Sequence, residues 1–254
     1  APCLGPAAPG GGGDGAALAR GLSRAGVHCA VVLFGKLSET IGDARTNFEA
    51  VSRLASFEAG SHESPPPLTF IECDGIPAWE QIAKPRHSYD VIVDALFGTG
   101  LGRPLEGVFV KVIEHLALIK QARDRVSDSR PLILSMDVPS GLNADQSNPI
   151  GPTVEADLTV PFTAPKPANV LPPACDFGGE LIVADIGSPF SLIEAARPWL
   201  FVTEAEDARP LPGAGIRPRL HGRRRAGGLR HGAAHRIALP RAADRGAGGE
   251  EHDQ

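Results

Sequence analysis

The chain has 254 residues, 42% of them hydrophobic and 5% aromatic, enough for one sizeable α/β domain with a full core. Its net charge of -5 conceals a split: residues 1–208 carry 15 Lys and Arg against 26 Asp and Glu, whereas residues 209–246 carry ten Arg and one acid, Asp244. An acidic body gives no support to nucleic-acid binding, and no apolar run approaches the ~18 residues of a membrane span, so neither partner is expected.

Residues 1–15, APCLGPAAPGGGGDG, read as a Gly/Pro-rich loop with no room for a strand before it. Asp14–Ala25 then predicts a helix, with Ala17, Leu18, Leu22 and Ala25 at helical spacing. Val27–Phe34 is a continuous β-rich apolar run. Asp43–Phe57 predicts a second helix, with Phe48, Val51, Leu54 and Ala55 on one face. Ser61–Pro67 reads as a loop and Leu68–Cys73 as a short strand. Val91–Phe97 predicts the next strand, and Leu105–Arg123 a helix with Val108, Val112, Leu116 and Ile119 inward. Leu132–Met136, Asp157–Phe162 and Glu180–Ala184 read as further strands. Continuous rather than alternating apolar runs point to a parallel sheet covered on both faces.

Residues 209–249 hold isolated Leu and Ile at no regular period. Such a segment cannot bury enough apolar surface to offset its ordering entropy. The expectation is one domain over residues 1–208 and a disordered Arg/Gly-rich tail over residues 209–254. Cys3, Cys29, Cys73 and Cys175 form no CxxC pair, and Cys29 and Cys73 lie in strand-like runs. They read as buried free thiols in a reducing, cytoplasmic setting. His28, His62, His87 and His115 form no HxxxH-type cluster, and no zinc site is read.

Two strand ends carry an acid beside a glycine-containing turn: Asp94 in DVIVDALFGTGLGRPL, and Asp137 in LILSMDVPSGLNAD. In an open α/β sheet, ligands bind in the crevice beyond the carboxyl ends of the strands. Asp94 is either a buried site acid or a cap for backbone amides. Asp137 is a fixed carboxylate suited to proton transfer, or a turn-stabilising acid; Pro139 stiffens its turn and holds Ser140 beside it. The GGDG segment, Gly12–Gly15, opens a helix and suits phosphate contact, although Asp14 equally suits an ordinary cap. The Gly98–Leu105 loop permits close backbone approach, with the Thr99 hydroxyl in reach, or is simply a turn needing glycine. Lys166, between two prolines, can neutralise phosphate or tune a nearby acid, or be a solvated loop lysine.

These motifs, in this order, together with ADLTVPF…KP and ELIVADIGSP, resemble the NAD(P)H-hydrate epimerase family, the YjeF N-terminal-like domain. The resemblance covers residues 5–190, and its strongest parts are the DVPSG and FGTG segments. It implies a Rossmann-like three-layer α/β sandwich with a mainly parallel central sheet. It implies interconversion of the R and S forms of hydrated NADH or NADPH. Gly11, Gly12, Gly13, Asp14 and Gly15 would contact that substrate, as would Gly98, Thr99, Gly100, Leu101, Gly102, Arg103, Pro104 and Asp137. Asp94 and Ser140 would ligate a potassium ion. Asp137 would be the acid/base at the hydroxyl-bearing carbon, with Lys166 as a supporting charge. The resemblance also implies a homodimer, and a dehydratase, fused or separate, as partner.

The chain departs from the family pattern at the phosphate loop, G-N-N-G-G-D-G, where Gly10 and Gly11 occupy the two Asn positions. Gly10 has no side chain to ligate potassium, so an impaired grip on phosphate and ion is expected. The strand and helical region that precede this loop in the family, part of its dimer surface, are read as missing. A non-catalytic nucleotide-binding or scaffold module of the same fold is the alternative; retention of Asp94 and Asp137 favours the enzyme.

Overall fold

The computed structural model describes residues 2–6, 13–58, 67–84, 89–125, 131–196, 200–201 and 238–239. One parallel seven-stranded sheet forms the centre, built from β1 (Pro2–Pro6), β2 (Cys29–Phe34), β3 (Leu68–Cys73), β4 (Val91–Asp94), β5 (Leu132–Met136), β6 (Leu158–Val160) and β7 (Glu180–Leu181). Their order across the sheet is β3-β2-β1-β4-β5-β6-β7, with every adjacent pair parallel. Helices α1 (Gly13–Arg24) and α2 (Gly42–Glu58) pack on one face. Helices α3 (Ile76–Ile82) and α4 (Val108–Arg125) pack on the other. Two short helices follow, α5 (Pro167–Val170) and α6 (Phe190–Ala195).

The alternation of side chains along β2 shows how the three layers are tied. Val31 and Leu33 join Phe48 and Val51 of α2 in one apolar cluster, whereas Val32 and Phe34 join Trp79 of α3 and Val112 and Leu116 of α4 in the other. A strand buried on both faces needs apolar residues at every position, and CAVVLF supplies them; the expected run from Val27 starts two residues late, at Cys29.

The loop expected over residues 1–15 is corrected at its start, because Pro2–Pro6 form the strand between β2 and β4. Proline and glycine concealed it, since proline cannot donate to a ladder. Pro2 and Pro6 stand at the ends of β1, where only β2 pairs, and Cys3 and Leu4 pair on both sides. A strand therefore does precede the first loop, contrary to expectation.

Other boundaries moved for local reasons. β4 stops at Asp94 rather than Phe97, because the Leu96 amide turns back to the Asp94 carboxylate at 3.3 Å. β6 and β7 are shorter than their apolar runs, and beyond them the chains meet again only at the Phe162–Ala184 bridge. Cys29 and Cys73 are buried, as expected, and Cys175 is half-buried. No helix among the described residues is long and apolar enough to cross a membrane. The expected tail lies outside the described residues, apart from Ala238–Leu239, which pair antiparallel with Leu200–Phe201.

Strand order fixes where a ligand can bind. The chain leaves β1 in one direction for β2 and β3, then returns to lay β4 on the other side of β1. This reversal opens a crevice beyond the carboxyl ends of β1 and β4. At the opposite end of the sheet, Arg123 near the end of α4 makes a bidentate pair with Asp157, at 2.5 and 2.8 Å. The Ile133 amide also donates to Asp157, at 2.8 Å, so this anchor fastens α4 to β5 and the start of β6.

Candidate active site

Asp94, the last residue of β4, is 1% exposed. Four neutral donors hold its carboxylate. Leu96 N at 3.3 Å and Ser140 Oγ at 2.5 Å reach Oδ1; Ser135 Oγ at 2.8 Å and Ser140 N at 2.9 Å reach Oδ2. Register explains the Ser135 bond, because Asp94 and Ser135 lie directly opposite each other on β4 and β5. The Ser140 hydroxyl accepts from Phe97 N at 2.9 Å while donating to Asp94, which fixes the start of the Gly98–Leu105 loop to the DVPSG turn. Burial pushes the Asp94 carboxyl above the usual carboxylate range, against the opposing pull of the donors from Ser140, Ser135 and Leu96.

Asp137 follows β5 directly, with φ of 65°, a left-handed conformation that non-glycine residues rarely take. Thr163, beyond the end of β6, also has φ of 65°. Strained backbone of this kind gathers at functional sites and costs of order 1–3 kcal/mol per residue. Lys166 Nζ makes a short ion pair with Asp137 Oδ1 and donates to Phe162 O at 3.0 Å. The Phe162 amide donates to the same Asp137 oxygen at 3.1 Å. The two loops after β5 and β6 are thus closed on each other through one carboxylate.

Asp14, in the first turn of α1, faces this centre. Burial pushes its carboxyl up, and the negative charge of Asp137 pushes it in the same direction. Gly98 completes the wall, since a Cβ there would lie 3.8 Å from Asp137 Oδ2. The first turn of α1 and the loops after β4, β5 and β6 therefore bring an acid pair, a lysine and a bare glycine backbone together. Residues 3–168 match the family model described as YjeF-related protein N-terminus. The chain belongs to the YjeF-related N-terminal family.

Among relatives, the bifunctional NAD(P)H-hydrate repair enzyme Nnr of Thermofilum pendens is 36% identical over 201 residues, covering 79% of this chain and 33% of that protein. The NAD(P)H-hydrate epimerase of Pirellula staleyi is 31% identical over 183 residues, covering 72% of this chain and 71% of the relative. The NAD(P)H-hydrate epimerase of Limosilactobacillus fermentum is 30% identical, covering 68% of this chain and 69% of the relative. The chain spans about a third of the bifunctional relatives it matches.

The residues expected from this family fold fall into distinct positions. Gly11 and Gly12 lie outside the described residues. Gly13 opens α1 where a Cβ would meet the Ala44 Cα at 3.2 Å, so it serves the contact between α1 and α2. Gly15 is buried within α1. Thr99, Gly100, Gly102, Arg103 and Pro104 are exposed along the second loop. Leu101, between these exposed residues, buries its side chain in the apolar cluster with Phe34 and Leu105. An apolar side chain flanked by glycines turns inward, because water leaves it no favourable alternative.

Two residues of the site were not anticipated. Ser135 sits inside an apolar strand run, and a buried hydroxyl there needs a partner, which Asp94 supplies. Asn169 lies on α5, where its side chain accepts from Lys166 N at 2.7 Å and donates to Asp137 O at 3.2 Å. The signal for Asn169 was Lys-Pro-Ala-Asn, a proline-started helical turn with a capping side chain at its third position.

The Asp94 group also bears on a metal ion. Its ligands would all be oxygens, from carboxylate, hydroxyl and the Phe97 carbonyl, which lies 3.3 Å from Ser140 Oγ. The four donors to Asp94 are neutral and supply no net charge. Among the described residues no Lys or Arg makes an ion pair with Asp94. A buried ionised carboxylate without a counter-charge is costly, and an oxygen-ligated cation would offset that charge.

Proposed function

We propose that this chain catalyses epimerisation of hydrated NADH and NADPH, interconverting the R and S forms at the hydroxyl-bearing C6 of the reduced ring. The observation that carries this reading is the Asp137–Lys166 pair, held on a strained turn at the crevice where this fold binds nucleotides. The names of the family's full-length epimerases support the substrate class.

Asp137 serves as the acid/base. In its acid form it protonates the departing C6 hydroxyl, which leaves as water, and the ring nitrogen's electron pair stabilises the resulting cation. Water then adds to the opposite face and returns its proton to Asp137, so the atoms balance and no net proton is consumed. Lys166 holds the carboxylate in place and offsets its charge between the two half-steps. Asp14 and the glycine backbones of both loops, Gly11–Gly15 and Gly98–Pro104, bind the dinucleotide; helix α1 directs its positive end toward phosphate.

Asp94 and Ser140 would hold a potassium ion, whose positive charge offsets the buried carboxylate and stiffens the loop after β4. The buried thiols of Cys29 and Cys73 support a reducing, cytoplasmic setting. A dehydratase that consumes one epimer, fused or separate, is the partner that suits this reaction. A homodimer is the expected assembly, and light scattering of the purified chain would test it. An NMR or chromatographic assay on a non-equilibrium S/R hydrate mixture tests the activity: equilibration faster than the spontaneous rate supports it. Nucleotide binding with no acceleration instead favours the non-catalytic module.

A further inference from the structure

We infer that Asn169 is a positioning residue that locks the Asp137–Lys166 pair into a single geometry through its two-ended side-chain amide. The inference rests on the epimerase reading of that pair. Asn169 is 6% exposed, and both ends of its amide are used: Oδ1 accepts from the Lys166 backbone amide at 2.7 Å and Nδ2 donates to the Asp137 carbonyl at 3.2 Å. One rigid planar group therefore spans the backbones of the two residues whose side chains meet in the ion pair.

The need for such a brace follows from the backbone. Asp137 has φ of 65°, and a non-glycine residue returns from that region unless its neighbours hold it. Its amide is tied to Val160 O at 2.9 Å, on the β6 side. Asn169 is the side chain that ties its carbonyl. Lys166 is the residue preceding α5, so fixing its amide sets where its long side chain begins. The Ala168 amide bonded to Ala144 O at 3.0 Å fastens α5 itself to the segment after the DVPSG turn. Geometry errors near 1 Å are costly to catalysis, so a brace on both partners acts on turnover rather than on binding.

Asn169→Asp and Asn169→Ala separate this role from simple capping. Aspartate keeps an acceptor for the Lys166 amide but sets a carboxylate oxygen against the Asp137 carbonyl in place of the donor, whereas alanine removes both ends. The expected result is that both variants fold, as circular dichroism reads, with kcat lowered at least tenfold and KM within about twofold. A second readout needs no activity: acetic anhydride labelling of Lys166, followed by peptide mass spectrometry with exposed Lys36 as the internal reference. Labelling of Lys166 is expected to rise several-fold in both variants. Unchanged Lys166 labelling overturns the inference, as does wild-type kcat in Asn169→Asp. A wild-type chain that fails to epimerise, yet shows the labelling change, overturns the epimerase reading and leaves the brace standing.

Discussion

Ser140 donates twice to Asp94, from its hydroxyl at 2.5 Å and its backbone amide at 2.9 Å, across 46 residues of sequence. The same hydroxyl accepts the Phe97 amide. Ser140→Ala keeps the backbone bond but takes the acceptor from the partly buried Phe97 amide and leaves Asp94 Oδ1 only the Leu96 amide at 3.3 Å. We expect a loss of about 1–3 kcal/mol in stability, seen as a lower urea midpoint with an unchanged slope. A midpoint equal to wild type would show that the bond contributes nothing.

Gly141, the next residue, has φ of 105°, and a Cβ there would lie 2.2 Å from Pro152 O and 2.7 Å from Thr153 Cα. Both neighbours are backbone and cannot rotate away. Gly141→Ala therefore combines left-handed strain with overpacking, for a cost of roughly 2–5 kcal/mol. Thermal denaturation by circular dichroism checks this; a melting point within one or two degrees of wild type contradicts it.

The sheet was legible wherever burial on both faces made the sequence uniformly apolar. Leu132–Met136 matches its expected bounds, and so does the edge strand Leu68–Cys73, although it carries Thr69 and an exposed Glu72. β1 was not, because its tripartite Pro, Gly, Pro pattern argues against a strand, and only pairing on both sides of Cys3 and Leu4 overrides it. α3 is a seven-residue helix with Pro77 in its first turn, too short for its periodicity to register. At the site, Asp94, Asp137, Ser140 and Lys166 stood out as polar residues at strand ends. Their mutual distances did not, because they depend on strand order, and strand order is a long-range property. Asn169 escaped notice for the same reason: nothing local announces that its amide reaches a carbonyl 32 residues earlier.

Potassium should stabilise the folded chain through Asp94. Burial raises the Asp94 carboxyl, so the folded state disfavours its ionised form. Its contribution is fully present below the unfolded value near 3.8 and is lost as pH rises through the folded value. A cation beside it offsets that loss at neutral pH. The expected outcome is a higher Tm in potassium than in an equal concentration of choline chloride at pH 7.5, with the difference abolished in Asp94→Asn. Equal melting points in both salts would remove the ion from Asp94.

The Arg123–Asp157 anchor gives the opposite pH dependence. Burial raises the Asp157 carboxyl, but the Arg123 guanidinium, the Ile133 amide and Lys120 together hold it below the usual carboxylate value. Its stabilisation is present above the unfolded value near 3.8 and is lost as pH falls through the folded one. Arg123→Ala is expected to cost about 1–3 kcal/mol at pH 7, because it leaves a partly buried carboxylate with only Lys120 at 3.8 Å and the Ile133 amide. The penalty should shrink below about pH 4, where Asp157 is protonated in the unfolded chain. A penalty independent of pH would show that Arg123 acts through packing alone.

The central claim is that Asp137 moves the proton at C6. The decisive measurement is the rate at which the purified 254-residue chain equilibrates S and R hydrates, compared with Asp137→Asn under the same conditions. We expect clear acceleration by the wild-type chain and a loss of roughly 10²–10⁴-fold in kcat for Asp137→Asn, with the variant still folded. Wild-type turnover by Asp137→Asn would contradict it.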